Sequence, residues 1–98
     1  MNSGFLVLDE HDNVGVALQH LPAGARLLLE AGASGRESVL TLVQDIPMGH
    51  KFALTELADG AAILKYGAVI GAATAAIQAG GHVHIHNVES CRGRGDRA

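Results

Sequence analysis

Apolar residues along the chain come in short runs broken by glycine, proline or clustered acids, a pattern that favours short strands over long helices. Phe5-Leu6-Val7-Leu8 reads as a first strand, ended by Asp9-Glu10-His11-Asp12-Asn13. Val14 to Leu18 fits either a second strand or the start of a helical turn. Leu21-Pro22-Ala23-Gly24 is a turn, Arg26 to Glu30 is extended, and Gly32 to Gly35 is a flexible connection. Ser38 to Asp45 carries Val39, Leu40, Leu42 and Val43 with little alternation, and reads as a strand buried on both faces. Ile46 to Lys51 is a loop, Phe52 to Leu57 leads into the turn Ala58-Asp59-Gly60, and Ala61 to Lys65 is a strand closed by Tyr66-Gly67. Ala72 to Gln78, rich in alanine and followed by Gly80-Gly81, is the best short helix. Residues 1–90 are expected to form one domain and residues 91–98 a disordered tail.

Gly80-Gly81-His82-Val83-His84-Ile85-His86-Asn87 is the stretch with most chemistry in it. As an extended strand from 82 to 87 it places His82, His84 and His86 on one face and Val83 and Ile85 on the other. Three imidazoles on one face bind something, titrate together, or lie where a partner covers them.

A shorter pattern recurs. Ala17 to Gly24, Ala53 to Gly60 and Ala73 to Gly80 each begin with a small residue. Each has an apolar residue four on, a glycine seven on, and an apolar residue ten on (Leu27, Ile63, Val83). The spacing of four puts the first two on one face of a single helical turn, and the glycine ends it. The copies lie 36 and then 20 residues apart, which excludes a stacked solenoid and suggests one turn-then-strand device reused in a compact all-β domain.

Composition narrows the setting. The chain of 98 residues is 48% hydrophobic but 3% aromatic, so its core is built from Ala, Val, Leu and Ile. Without the tail the charge is four basic against nine acidic residues, which argues against nucleic acid. Its apolar runs are far shorter than the ~20 residues of a membrane span. One cysteine, Cys91, excludes an internal disulfide, and with no secretory signal at the N-terminus it points to the cytoplasm.

Ile46-Pro47-Met48-Gly49-His50-Lys51, Lys65-Tyr66-Gly67, Ile70-Gly71 and His82-Val83-His84-Ile85-His86-Asn87, in this order, resemble the SAF domain of the altronate and galactarate dehydratase family. Asp12-Asn13-Val14 and Leu21-Pro22-Ala23-Gly24 match the same domain, so the resemblance runs from Asp12 to Asn87. It implies an all-β, β-clip (antifreeze-like) fold with short one-turn helices. It also implies enzymes that dehydrate sugar acids or remove sulfite from sulfolactate, in which this domain is either fused to a large catalytic domain or is a separate small subunit. The expectation for this chain is the small-subunit form, with a large catalytic dehydratase-type subunit as partner, a small anionic hydroxy acid as substrate, and a homo-oligomer as a further option for the isolated chain. A divalent metal, Fe2+ in the family, would be held with or by the large subunit.

Dehydration next to a carboxylate needs a base for the α-proton and an acid or metal to help hydroxide leave. His84 and His86 are the candidates for catalysis, and their His-x-His spacing also suits a metal. Without a carboxylate beside them they form an incomplete ferrous site, which a partner would complete. His50, Lys51, Lys65, Tyr66 and Asn87 are the candidates for holding the anionic substrate. Two other readings stay open: a free-standing SAF module that binds a small carbohydrate or acid without catalysis, and a histidine-based metal-binding protein.

Overall fold

The computed structural model describes residues 4–29 and 38–90, and every regular element within them is a strand. In chain order these are β1 (Phe5–Leu6), β2 (Val14–Ala17), β3 (Arg26–Leu29), β4 (Ser38–Thr41), β5 (Lys51–Ala53), β6 (Ala62–Lys65), β7 (Ala68–Ala73), β8 (His82–Val83) and β9 (Val88–Ser90). They form three antiparallel sheets, ordered β1-β2-β5-β8, β3-β4 and β6-β7-β9. The all-β expectation holds. The one-turn helices expected with it do not occur among the described residues. Nor, among those residues, is any helix long and apolar enough to cross a membrane.

Four copies of one turn organise the strands. Ala17–Gly24, Ala53–Gly60 and Ala73–Gly80 share the same bends, and Leu42 to Gly49 is a fourth, with Ile46 four on, Gly49 seven on and Phe52 ten on. The sequence pattern missed it by asking for a small first residue. None of the copies is a helical turn. The residue four on is a bridging residue instead: Leu21 pairs with Ile46, and Leu57 with Ile77. The glycines then donate across each pair, Gly24 to Leu42, Gly49 to Ala17, Gly60 to Ala73 and Gly80 to Ala53, all at 2.8 Å. Each has a φ between 83° and 90°, a region an L side chain resists, and that is why glycine recurs there.

Each pair of turns closes over its own core. The first holds Phe5, Ala17, Leu21, Leu27, Leu40, Leu42, Ile46 and Phe52. The second holds Val14, Ala53, Leu57, Ile63, Ala73, Ile77 and Val83. The four strands that leave the turns, β3, β5, β6 and β8, each carry a core residue at their second position: Leu27, Phe52, Ile63 and Val83. Phe52 on β5 is fully buried, its ring edge-on to Phe5 at 5.8 Å, and it leaves no room for a side chain at Gly15, where a Cβ would sit 2.6 Å from it.

Three local expectations give way to tertiary structure. Ala72 and Ala73 complete β7, which is laddered to β6 on one side and β9 on the other, so sheet pairing overrides alanine's helix propensity; Ile77 then bridges to Leu57. Residues 38–45 are buried on one face only: Leu40 and Leu42 point inward while Val39 and Val43 are about half exposed, because a two-stranded ribbon has no second layer to cover them. The strand expected from 82 to 87 stops at Val83; residues 84–87 turn, and Val88 starts β9. Neither β7's first residues, 68–71, nor β9 stood out in the sequence as strands. The expected connection from Gly32 to Gly35 and the expected tail with Cys91 lie outside the described residues.

Candidate functional site

The site forms where the outgoing strands of the second and fourth turns meet. β5 and β8 run antiparallel with Phe52 opposite His82 and Lys51 opposite Val83. One step further along that register His50 faces His84. In an antiparallel pair such opposite side chains are close neighbours and the diagonal ones remain within reach. The rings obey this. His50 and His84 stack with centroids 3.7 Å apart and planes 9° from parallel. His50 Nδ1 lies 2.8 Å from His82 Nε2, so one of the two nitrogens donates to the other. His82 and His84 are 5.6 Å apart, centroid to centroid. The alternation that brought 82 and 84 together therefore holds, although the strand ends between them.

Beyond Val83 the backbone is shaped by Asn87. Its Oδ1 accepts the His84 N–H at 2.9 Å, its Nδ2 donates to the His82 carbonyl at 2.8 Å, and its own N–H donates to the His84 carbonyl at 3.0 Å. Both ends of the Asn87 amide are thus engaged in folding the turn. Gln44, unremarked in the sequence, accepts the His82 N–H at 2.9 Å. His86 is exposed and lies to one side, its ring 5.0 Å from His82 and tilted by 40°.

Charge at the site is positive, although the chain as a whole carries −3. Burial and the charge of Lys65 hold Lys51 below the usual lysine range. Burial, then His86, His50, His84 and Lys51, push His82 down. Burial, then His50, Lys51 and His86, do the same to His84. Each group that shifts these protons is an imidazole or an ammonium. At neutral pH His82 and His84 are therefore imidazoles able to accept a proton, within electrostatic reach of Lys51. Lys65 and Tyr66 end the β6–β7 hairpin, and Tyr66 is 72% exposed.

His50, His82 and His84 each offer one ring nitrogen, all within 4.8 Å of one another. His84 Nδ1 is buried and has no hydrogen-bond partner among the described residues. An imidazole set with an unsatisfied buried nitrogen fits a borderline divalent cation, to which neutral histidine is a usual ligand. The metal pair expected from sequence was His84 with His86; the convergent group replaces His86 with His50. What gave His50 away was its register against His84, which is visible only once the turn from Leu42 to Gly49 is recognised.

The profile of the altronate/galactarate dehydratase SAF domain matches residues 3–91. The chain belongs to this family. Altronate dehydratase of Escherichia coli is 47% identical to this SAF chain over 79 residues, 81% of the chain but 15% of that protein. Altronate dehydratase of Bacillus subtilis is 36% identical over 86 residues, covering 88% and 16%. The (2R)-sulfolactate sulfo-lyase subunit alpha of Chromohalobacter salexigens is 36% identical over 93 residues, 94% of the chain and 99% of that subunit. The SAF chain thus spans a small part of the two dehydratases and nearly the whole of a separate lyase subunit.

Proposed function

We propose that this SAF chain is the small subunit of a hydroxy-acid lyase, of the altronate/galactarate dehydratase or sulfolactate sulfo-lyase kind, and completes an active site carried mainly by a large subunit. The observation that carries this is the correspondence with a lyase subunit alpha over 99% of that subunit. The site gives it chemical content. A half-buried cluster of imidazoles, with Lys51 in electrostatic reach of it and Lys65 in reach of Lys51, is suited to an anionic hydroxy acid, whose carboxylate the two lysines hold while Tyr66 lies against the carbon chain. Asn87 acts through the shape of the turn. His84, neutral at pH 7, takes the proton next to the substrate carboxylate, while His50, hydrogen-bonded to His82 and stacked on His84, holds that ring in place. His86, exposed at the rim, is placed to serve a substrate or group that the large subunit presents.

In a metal-loaded form His50, His82 and His84 are the residues of this chain that would hold the divalent ion, Fe2+ by family precedent, with the large subunit supplying carboxylate or water ligands and, since a ligated His84 cannot take up a proton, the base as well. Bound there, such an ion supplies positive charge for a leaving hydroxide or sulfite. The setting we assign is the cytoplasm.

The test is to purify the chain alone, its large partner alone, and the two together, and to assay dehydration of altronate and galactarate and release of sulfite from sulfolactate. Activity is expected only from the pair. Full activity of the large chain by itself would remove the proposal, and binding of the acid by the small chain without turnover by the pair would favour a binding module.

A further inference from the structure

Asp12 is buried, and no step above uses it. Its carboxylate accepts two backbone N–H groups from one place, Tyr66 at 2.9 Å and Gly67 at 2.8 Å. Those two residues are the loop of the β6–β7 hairpin, since Lys65 pairs directly with Ala68. Both have positive φ, 60° and 71°, which is the geometry of a type I′ turn. Asparagine, aspartate or glycine ordinarily occupies the first loop position of such a turn; a tyrosine there is strained. Nor does the ring recover the cost by packing, since it points into solvent. Strain of this sort persists where the surroundings over-determine the backbone, and it gathers at functional positions.

The surroundings here come from residues 9–13. Asn13 accepts the Leu64 N–H at 2.8 Å and donates to the Ala62 carbonyl at 2.8 Å, so it lies along β6 much as a further strand would. Asp9 stands so close to the turn that a Cβ on Gly67 would come within 3.1 Å of its carboxylate. Yet neither Asn13 nor Asp9 accepts the amides of the strained pair. Asp12 does, with both oxygens.

We infer that Asp12 is a positioning residue: by pinning the Tyr66 and Gly67 amides it holds a strained turn that presents Lys65 and Tyr66 to the site, and so presets the grip on an anionic substrate. This rests on the proposed role of Lys65 and Tyr66 in substrate binding. Asp12 touches neither substrate nor any reacting atom, and its effect passes through the turn.

The experiment is a double-mutant cycle on the enzyme assembled with its large partner, using Asp12→Asn, which keeps the shape and one acceptor, Lys65→Met, and the two combined. Asp12→Asn is expected to raise KM for the hydroxy acid about tenfold while kcat changes less than about threefold, as loss of uniform binding does. In the double variant KM is expected to match that of Lys65→Met alone, because residues acting as one unit are not additive. In the free chain, hydrogen exchange at the Tyr66 and Gly67 amides is expected to quicken about tenfold while the β5–β8 amides hold their protection. Faster exchange with an unchanged KM, or additive effects on KM, would make Asp12 a structural staple only and overturn the inference. An unchanged KM in Lys65→Met is a different result. It would remove the substrate role of the turn, and with it the role of Asp12, while leaving the lyase assembly intact.

Discussion

Replacing the glycine of each turn copy by alanine should separate conformational cost from steric cost within one molecule. Gly24, Gly49, Gly60 and Gly80 occupy equivalent places, with φ of 90°, 84°, 88° and 83°. A Cβ on Gly24, Gly49 or Gly60 would meet nothing within 4 Å. On Gly80 it would stand 2.3 Å from the Thr41 carbonyl oxygen and 3.1 Å from Leu42 Cα, both backbone atoms that no side-chain rotation can move aside. The three open sites should therefore lose only the left-handed penalty, ~1–2 kcal/mol. Gly80→Ala adds overpacking, worth ~1–3 kcal/mol where a well-packed region must shift, for a total of ~2–5 kcal/mol. A domain of this size has a stability of ~5–15 kcal/mol, so the other three variants should fold and Gly80→Ala should be marginal. Urea unfolding of the four variants side by side, with m-values compared to confirm two-state behaviour, gives the numbers. Equal losses at all four positions would refute the packing account of Gly80. Losses above ~3 kcal/mol at the open sites would refute the conformational one.

Two further outcomes follow from the imidazole cluster. Because His82 and His84 are pushed below their ordinary value of 6.5, the unfolded chain takes up protons in a window below 6.5 that the folded chain resists. Metal-free protein should thus gain stability as pH rises toward 6.5 and level off above it. His82→Gln/His84→Gln should flatten that rise; urea midpoints at each pH read the difference, and a rise of the same size in the double variant would show the histidines are not its source. Separately, titration with Co2+ followed by calorimetry and visible absorption should show His50→Ala, His82→Ala and His84→Ala each weakening binding by about 10–100-fold or more, since even outer-shell losses reach that range. His86→Ala should stay within about threefold on that scale. A His86→Ala loss as large as that of His50→Ala would contradict the ligand set.

Much of this fold was legible because glycine spacing marks the turns. Gly24, Gly60 and Gly80 revealed three of them, and Gly49 was hidden only by the bulk of Leu42, which is buried like the alanines at the matching positions. The strands that depend on a distant partner were not legible. Ala68 to Ala73 and Val88 to Ser90 have no strong pattern of their own: the first is a strand through its ladder with β6, and the second through its pairing with Gly71 to Ala73. The site was half visible. Alternation brought His82 and His84 together correctly, but the turn at 84–87 depends on an asparagine side-chain amide bonding two backbone groups, a conformational choice that apolar periodicity does not record. His50 joined the cluster through strand register, and Asp12 reaches the β6–β7 turn through a contact spanning 54 residues of chain. Both are facts of pairing rather than of any local motif.

The central claim is that this small chain brings working side chains to a lyase site. It is tested most directly by reconstituting the large partner with a His84→Gln chain that still assembles, confirmed by co-elution, and measuring kcat. The account predicts a fall of about 100-fold or more, the scale of a lost general base. A His84→Gln enzyme that assembles normally and keeps the kcat of the wild-type pair would contradict it.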